Sequence, residues 1–416
     1  MPTLTYAEKP QSQKVSTALV WIIIVAALGY FVDIYDLVLF SVVRVASLKG
    51  IGITDPAQVT REGLRLLNIQ MGGMLGGGFI WGVLGDKRGR LQVLFGSILL
   101  YSLANILNGF AHNLVQFGWL RFFAGLGLAG EIGAGITLVT ESMSAAKRGY
   151  GTMIVGAVGL LGAAVASLVG ATFSWQTSFF LGGTMGLVLL VMRIGVQESG
   201  MYTRVEKSNV LRGDLRLLFN SWPRVRKYIY CFCIALPLWF MIGILITLGP
   251  EFGQALHIKG HVSAGKGILY TYLGTALGDI FTGLLSQVLK SRKKVVAIFL
   301  LMTLGGFFLY LNAFNASLEG YAICFYMGFS NGFWILFITL SAEQFGTNLR
   351  ATVATSVPNV VRGSVIPITA LFVFLRGYTS ILHAALYIGL LTCAIAFVGL
   401  SQLAETFGKN LDYDDV

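Results

Sequence analysis

Long apolar runs separated by short polar clusters set the pattern of this chain. Twelve runs fall at roughly 17–43, 64–84, 91–111, 115–140, 150–172, 177–195, 227–248, 265–288, 294–313, 319–341, 352–376 and 380–402. Most lie near the ~20 residues that carry an α-helix across a bilayer. They are about twice as long as a barrel strand and do not alternate, so the pattern predicts helices and no strands. Between the sixth and seventh runs lies "ESGMYTRVEKSNVLRGDLRLLFNSWPRVRK", which holds no run of its own. The expected architecture is an all-α membrane protein of 12 transmembrane helices in two six-helix bundles. Residues 1–195 form the first bundle, 196–226 a cytoplasmic linker, and 227–416 the second bundle with a short cytoplasmic tail.

Composition agrees with the pattern. Only 12% of residues are charged, 55% are hydrophobic, and the mean hydropathy is +0.74. Soluble domains carry roughly 25% charge. The net charge of +11 suggests a nucleic-acid partner until the loops are sorted by side. Of the 30 Lys and Arg, 21 then fall on one side and seven on the other, with Arg121 and Arg362 inside runs. Excess positive charge marks the cytoplasmic face, so both termini are expected there, and the basic balance reports topology instead of nucleic-acid binding. The first run follows a polar tail, is too long for a signal-peptide core and lacks a small-residue cleavage site, so it is read as a retained helix. Cys231, Cys233, Cys324 and Cys393 show neither metal spacing nor a disulfide framework. No metal or cofactor is expected.

The two sets of six repeat each other. "ESMSAAKRG" places Glu141 seven residues before Arg148, and "EQFGTNLRA" places Glu343 seven before Arg350, an offset of 202. "GVLGDKRGR" starts at Gly82 and "GLLSQVLKSRKK" at Gly283, an offset of 201. Parallel repeats of this kind belong to transporters whose site lies between the halves.

These motifs resemble the major facilitator superfamily. Gly82, Asp86, Gly89 and Arg90 match its loop 2–3 signature, and Arg121, Gly125 and Gly127 in "RFFAGLGLAGE" match its helix 4 signature. "ESMSAAKRG" and "VQESGMY" look like the sugar-porter and metabolite/aromatic-acid:proton symporter branches, and the doubly acidic first helix is similar to the latter. Gln197 and Gly200 stand where the sugar-porter pattern has Pro and Arg, and Gln287 stands where a second copy of Asp86 belongs. The resemblance implies alternating access. Asp86, Arg90, Glu141, Arg148, Glu343 and Arg350 become candidate gating residues, since carboxylates at helix ends can pair with Arg in one state and release it in another. A solvated cluster that only sets topology is the simpler alternative.

Charge inside apolar runs is the strongest chemical signal, because it is costly there and marks ion or proton pathways. Asp33 and Asp36 in "GYFVDIYDLVLF" share a helical face. At 1.5 Å per residue, Asp33 lies roughly 24 Å from the inner edge of its helix and Arg121 roughly 9 Å from the outer edge of helix 4, similar depths in a ~30 Å core. An Asp33/Asp36–Arg121 cluster is therefore allowed, as a proton-coupling site or as a permanent salt bridge. Glu131, further inward, is a relay or the partner of a loop Arg. Asp279 is a possible secondary ion pair. Arg362, in "VPNVVRGSVIP", is expected at the midplane, where Pro358, Gly363 and Pro367 can open the helix. It needs an anion, supplied by substrate or by Asp279 or Asp33. Tyr35, Trp239, Tyr270, Tyr272, Asn331, Trp334 and Asn359 are candidates to complete the pocket. The four histidines fall near loops or helix ends, so carboxylates are the expected proton carriers.

Two apparent enzyme motifs are set aside. Gly125, Gly127 and Gly130 spell a dinucleotide fingerprint, but within an apolar helix and without a preceding strand. "GFSNG" at 328–332 lacks the strand–turn–helix context of a nucleophile elbow. The chain is thus read as a non-enzymatic, proton-coupled symporter importing a small organic solute, an organic anion by the Arg362 argument. It would act as a monomer in a bacterial inner membrane. One rival is a proton-antiporting exporter of metabolites, amphiphilic compounds or metal chelates, although helix 5 lacks the Gly-Pro pairing of an antiporter. The other is a nontransporting membrane sensor, which leads one to expect an added soluble domain.

Overall fold

The computed structural model describes residues 17–88, 90–143, 148–194, 218–260 and 262–408. Most of the expected linker, and the side chains of Asp86, Arg90, Glu141, Arg148 and Arg350, lie outside the described residues. The first half contains α1 (Thr17–Gly50), α2 (Pro56–Arg88), α3 (Arg90–Asn108), α4 (Leu114–Leu128), α5 (Glu131–Ser142), α6 (Arg148–Thr172) and α7 (Trp175–Met192). The second contains α8 (Trp222–Cys233), α9 (Leu236–Phe240), a π-helical stretch (Met241–Ile246), α10 (Gly249–Ala255), α11 (Ala264–Leu289) and α12 (Arg292–Ala313). It ends with α13 (Leu318–Ser330), α14 (Trp334–Glu343), α15 (Thr347–Gly363), α16 (Val365–Arg376) and α17 (Ile381–Gln402). No strand occurs among the described residues. Nine helical stretches there are long and apolar enough to cross a membrane, ten if the bent α8–α9–π segment counts as one span.

Four expected runs are broken. α4 and α5 part at Ala129–Gly130, α13 and α14 at Asn331–Phe333, and α15 and α16 at Ser364, while α8 and α9 meet at a 43° bend. Each break frees backbone groups inside protein, where side chains can satisfy them. Asp279 of α11 accepts from the Ile335 amide at the start of α14 (3.1 Å), and Thr282 donates to the Gly332 carbonyl (2.7 Å). A carboxylate suits a helix N-terminus, where unsatisfied amides concentrate positive potential.

Glycine sets how closely the helices cross. A Cβ at Gly73 or Gly77 of α2 would strike the Phe122 or Leu126 carbonyl of α4. A Cβ at Gly274 or Gly278 of α11 would likewise strike the Phe325 or Phe329 carbonyl of α13. The two glycine pairs stand 201 residues apart, the same offset as the loop motifs. Gly125 packs on the Gln70 carbonyl and Gly127 on the Tyr101 backbone, so the apparent nucleotide fingerprint is a helix-crossing device. Gly328 does the same on Thr271.

The halves meet where α6 packs on α11 and α2 on α15 and α16. Ser167 donates to the Gly265 carbonyl (2.6 Å), Thr369 to Asn68 (2.8 Å) and Asn359 to the Ala129 carbonyl (3.0 Å). At the end of α1 away from the chain start, buried Arg44 holds both carboxylate oxygens of Glu251 on α10 (2.8 and 3.0 Å). Thr60 donates to the same carboxylate (3.0 Å), and the Ser41 and Thr247 hydroxyls meet at 3.1 Å.

Candidate functional site

Arg362 ends α15, in the last turn, where free carbonyls favour a cation. Its guanidinium is 1% exposed and lies 3.6 Å from the fully buried carboxylate of Asp33 on α1. It donates to Asn359 (3.4 Å), one turn earlier on α15. Trp239 of α9 and Trp334 at the start of α14 face its central carbon, at 5.9 and 6.0 Å from their ring centres. The two indoles meet edge to face, with centroids 6.5 Å apart. Tyr272 of α11 and Tyr30 of α1 lie within electrostatic reach of both Arg362 and Asp33. Helix breaks deliver both tryptophans and the arginine, and a π-helical stretch follows α9, a distortion frequent at functional sites.

Asp36 belongs to a different cluster. It turns into the first bundle, against Gly182 of α7 and towards Arg121 of α4 and Asn105 of α3. Arg121 donates to Asn105 (2.6 Å) and lies 4.6 Å over the Phe179 ring. Glu131, the first residue of α5, is paired with Arg193 just past α7, with one contact at 3.1 Å. Both are 1% exposed. The geometry pairs Glu131 with an arginine near a loop.

The expected residues therefore divide. Asp33, Trp239, Tyr272, Trp334 and Asn359 gather around Arg362, with Asp33 paired to Arg362 instead of Arg121. Others face elsewhere. Tyr35 donates to the Ser178 carbonyl inside the first bundle (2.9 Å). Tyr270 stacks on Tyr321 at 5.7 Å, and Asn331 caps α13 with its amide near the Met241 sulfur (3.2 Å). Asp279 serves the α14 amide described above. Glu343 pairs with Arg292 (2.7 Å).

Sequence reading missed Tyr30, Arg44, Arg193 and Glu251. Arg44 and Arg193 were counted as loop charges because they sit at the ends of apolar runs. α1 continues to Gly50, however, and Arg193 folds back onto Glu131.

Comparison with known proteins completes the picture. The family model of the Major Facilitator Superfamily matches residues 14–368. The chain belongs to that superfamily. As a superfamily member it is a transporter and not an enzyme. It is 27% identical over 339 residues to a candidate niacin/nicotinamide transporter, NiaP, of Bacillus subtilis (strain 168), covering 79% of this chain and 81% of that one. It is 27% identical over 412 residues to a candidate 4-methylmuconolactone transporter of Cupriavidus pinatubonensis, covering 92% and 90%. Among solved structures it resembles the superfamily proton:xylose symporter XylE bound to 6-bromo-6-deoxy-D-glucose. The TM-score is 0.71, with 16% identity, over 96% of this chain and 98% of that one. At that identity the likeness is one of fold.

Proposed function

We propose that this transporter is a proton-coupled symporter that imports a small organic anion by alternating access. It would do so as a monomer, through twelve spans with both termini cytoplasmic, in a bacterial inner membrane. The observation that carries the reading is the Asp33–Arg362 pair, which joins the halves between two tryptophans. A permanent arginine in a dry site needs an anion, and Asp33 occupies the position a substrate carboxylate would take. Protonation of Asp33 frees the guanidinium, and the substrate carboxylate replaces it. The indole faces then suit a flat ring next to that carboxylate.

The relatives support the same chemistry. Niacin is a pyridine monocarboxylate, and a muconolactone also carries a carboxylate. A sugar would use Arg362 poorly, because its hydroxyls leave the cation unneutralised. Asp36, beside Arg121, is the coupling carboxylate in this scheme. Asp86, Arg90, Glu141, Arg148, Glu343 and Arg350 remain candidate gating groups at the termini end.

The test is uptake of labelled nicotinate and benzoate by purified protein in liposomes under an imposed pH gradient. Asp36→Asn is expected to abolish uphill accumulation while counterflow exchange continues. Arg362→Ala is expected to weaken binding roughly 10- to 100-fold, the worth of one or two charge-assisted hydrogen bonds. Unchanged uphill uptake in Asp36→Asn overturns the coupling. Unchanged affinity in Arg362→Ala removes Arg362 from the site, and accumulation only under the reversed gradient makes the protein an exporter.

A further inference from the structure

The interior of the first bundle carries a polar column that the site around Arg362 does not use. Along α3, Ser97, Tyr101, Ser102, Asn105 and Asn108 recur at helical spacing, and all five are fully buried. Residues three and four apart share a face. Such a stripe in an apolar helix is expensive unless its groups find partners.

Ser97 donates to the Leu94 carbonyl (3.2 Å), Asn105 accepts from Arg121 (2.6 Å) and Asn108 donates to the Ala104 carbonyl (2.8 Å), but other groups of the stripe find no partner within the protein. The Tyr101 and Ser102 hydroxyls and the Asn108 amide oxygen make no protein hydrogen bond. The same holds for Nε and Nη1 of Arg121, while the Asn105 side chain faces the Asp36 carboxylate. Buried groups of this kind are satisfied by ordered water, where two to four polar partners converge.

Three helices give the column one order. On α1, Asp36 lies seven residues from Gly29, about 10 Å along the axis. Glu131 packs directly against Gly29. On α7, Gly182 faces Asp36, Gly186 faces Tyr101 and Ser102, and Arg193, just past the helix, holds Glu131. On α3, Asn105 faces Arg121 and Asp36, with Ser102 and Tyr101 one turn closer to the chain start. Tyr101 lies within electrostatic reach of both Asp36 and Glu131. Its hydroxyl and that of Ser102 therefore stand between the two carboxylates. Gly186 lets α7 approach the Tyr101 and Ser102 side chains closely, since a Cβ there would collide with the Ser102 oxygen.

We propose that this column is the proton route of the transporter, running inside the first bundle and separate from the solute path between the halves. The proton leaves the Asp36 carboxyl to a water held by the Ser102 and Tyr101 hydroxyls. It passes to the Glu131 carboxylate, which loosens its pair with Arg193, and is released to solvent at the termini end. The groups facing this transfer are Asp33, Tyr35 and Arg121 around Asp36, with Tyr101 and Arg193 around Glu131. The proposal rests on the reading of Asp36 as the coupling carboxylate.

The test needs no substrate. Infrared spectra of the purified full chain in lipid give the C=O stretch of protonated Asp36, identified by its loss in Asp36→Asn. Transfer to D2O then times its hydrogen–deuterium exchange. Tyr101→Phe and Ser102→Ala remove hydroxyls without protein partners, so the fold is kept. Each is expected to slow exchange by about tenfold, the order of one lost hydrogen bond in a rate. Glu131→Gln is expected to slow it as well. A Tyr101→Phe/Ser102→Ala double variant exchanging at the wild-type rate overturns the route, as does an Asp36 band missing at every pH. Nicotinate uptake indifferent to the pH gradient would overturn the symport reading alone, while slowed exchange in Tyr101→Phe would still support the route.

Discussion

Asp33 and Asp36 sit three residues apart, yet their surroundings give them different tasks. Three residues turn a helix through ~300°, so the two carboxylates point about 60° apart. That angle sends Asp33 to the boundary between the halves and Asp36 into the first bundle. Both acids and Arg362 were legible in the sequence, because a charge within an apolar run is costly and marks either an ion pair or an ion or proton pathway. Their pairing was legible only as alternatives, with Asp33 weighed against both Arg121 and Arg362. Depth estimates place Arg121 level with both acids, and only helix rotation separates them. The pairing predicts a pH dependence. As pH falls, Asp33 takes a proton and Arg362 is freed, so an organic monocarboxylate binds more tightly at low pH. Asp33→Asn removes the internal competitor. Nicotinate affinity, by calorimetry at several pH values, should then have a shallower pH slope, left by Asp36, and at the upper end be about tenfold tighter than wild type. A wild-type pH slope in Asp33→Asn would remove Asp33 from competition with substrate.

Among the elements, the apolar runs gave the helices, and Pro358, Gly363 and Pro367 pointed to the break at Ser364, but the other three breaks were not readable. The polar dip at Ser330–Gly332 is too short to end an apolar run, and a glycine in a membrane helix is too common to mark an end. What ends α13 is tertiary: Asp279 and Thr282 satisfy the backbone freed there. Arg44 illustrates the opposite error, since a charge that closes an apolar run does not end a helix whose backbone bonds continue to Gly50. The segment after α17 adds an element without any hydropathy signal. Burial alone would raise the Glu405 carboxyl, but it accepts from the Ser291 hydroxyl and from the Phe407, Arg292 and Lys293 amides, which together hold it at about 2. This clasp fixes the segment after α17 to the start of α12. A depressed carboxylate stabilises above its ordinary value of 4.5 and loses that contribution as pH falls towards 2. Glu405→Gln should therefore lower the melting temperature at pH 7 and leave it close to wild type near pH 2, as followed by thermal unfolding in detergent. An equal deficit at both pH values would mean that the carboxylate's charge is irrelevant to the clasp.

At the scale of the whole molecule, the duplication was readable from two loop motifs, and the glycine crossings at the same 201-residue offset show why it survives in the fold. Each half needs close backbone approach at equivalent places, so equivalent glycines are retained. How the halves touch is less readable, because the contacts join residues from 98 (Ser167–Gly265) to 301 (Thr369–Asn68) apart that share no motif. Arg44 and Glu251 are the clearest case. The pair links α1 to α10 with Arg44 only 1% exposed, so it favours conformations in which this end of the protein is closed. Removing one partner from a buried pair strands the other and costs about 3–5 kcal/mol in the state that buries it. A conformation in which this end opens lets Arg44 reach water and escapes that cost, so the equilibrium shifts towards it. Glu251→Gln should therefore open this end. In a background with the four native cysteines replaced by serine, Ser41→Cys gives the readout, because Ser41 is buried against Thr247 at the same junction. Its labelling by a membrane-impermeant thiol reagent should rise by about tenfold or more in Glu251→Gln, a shift of only ~1.4 kcal/mol. The exchanged pair Arg44→Glu/Glu251→Arg should bring labelling back towards the starting level. If Glu251→Gln leaves labelling unchanged, the pair merely fills space between two halves that are held together by other contacts.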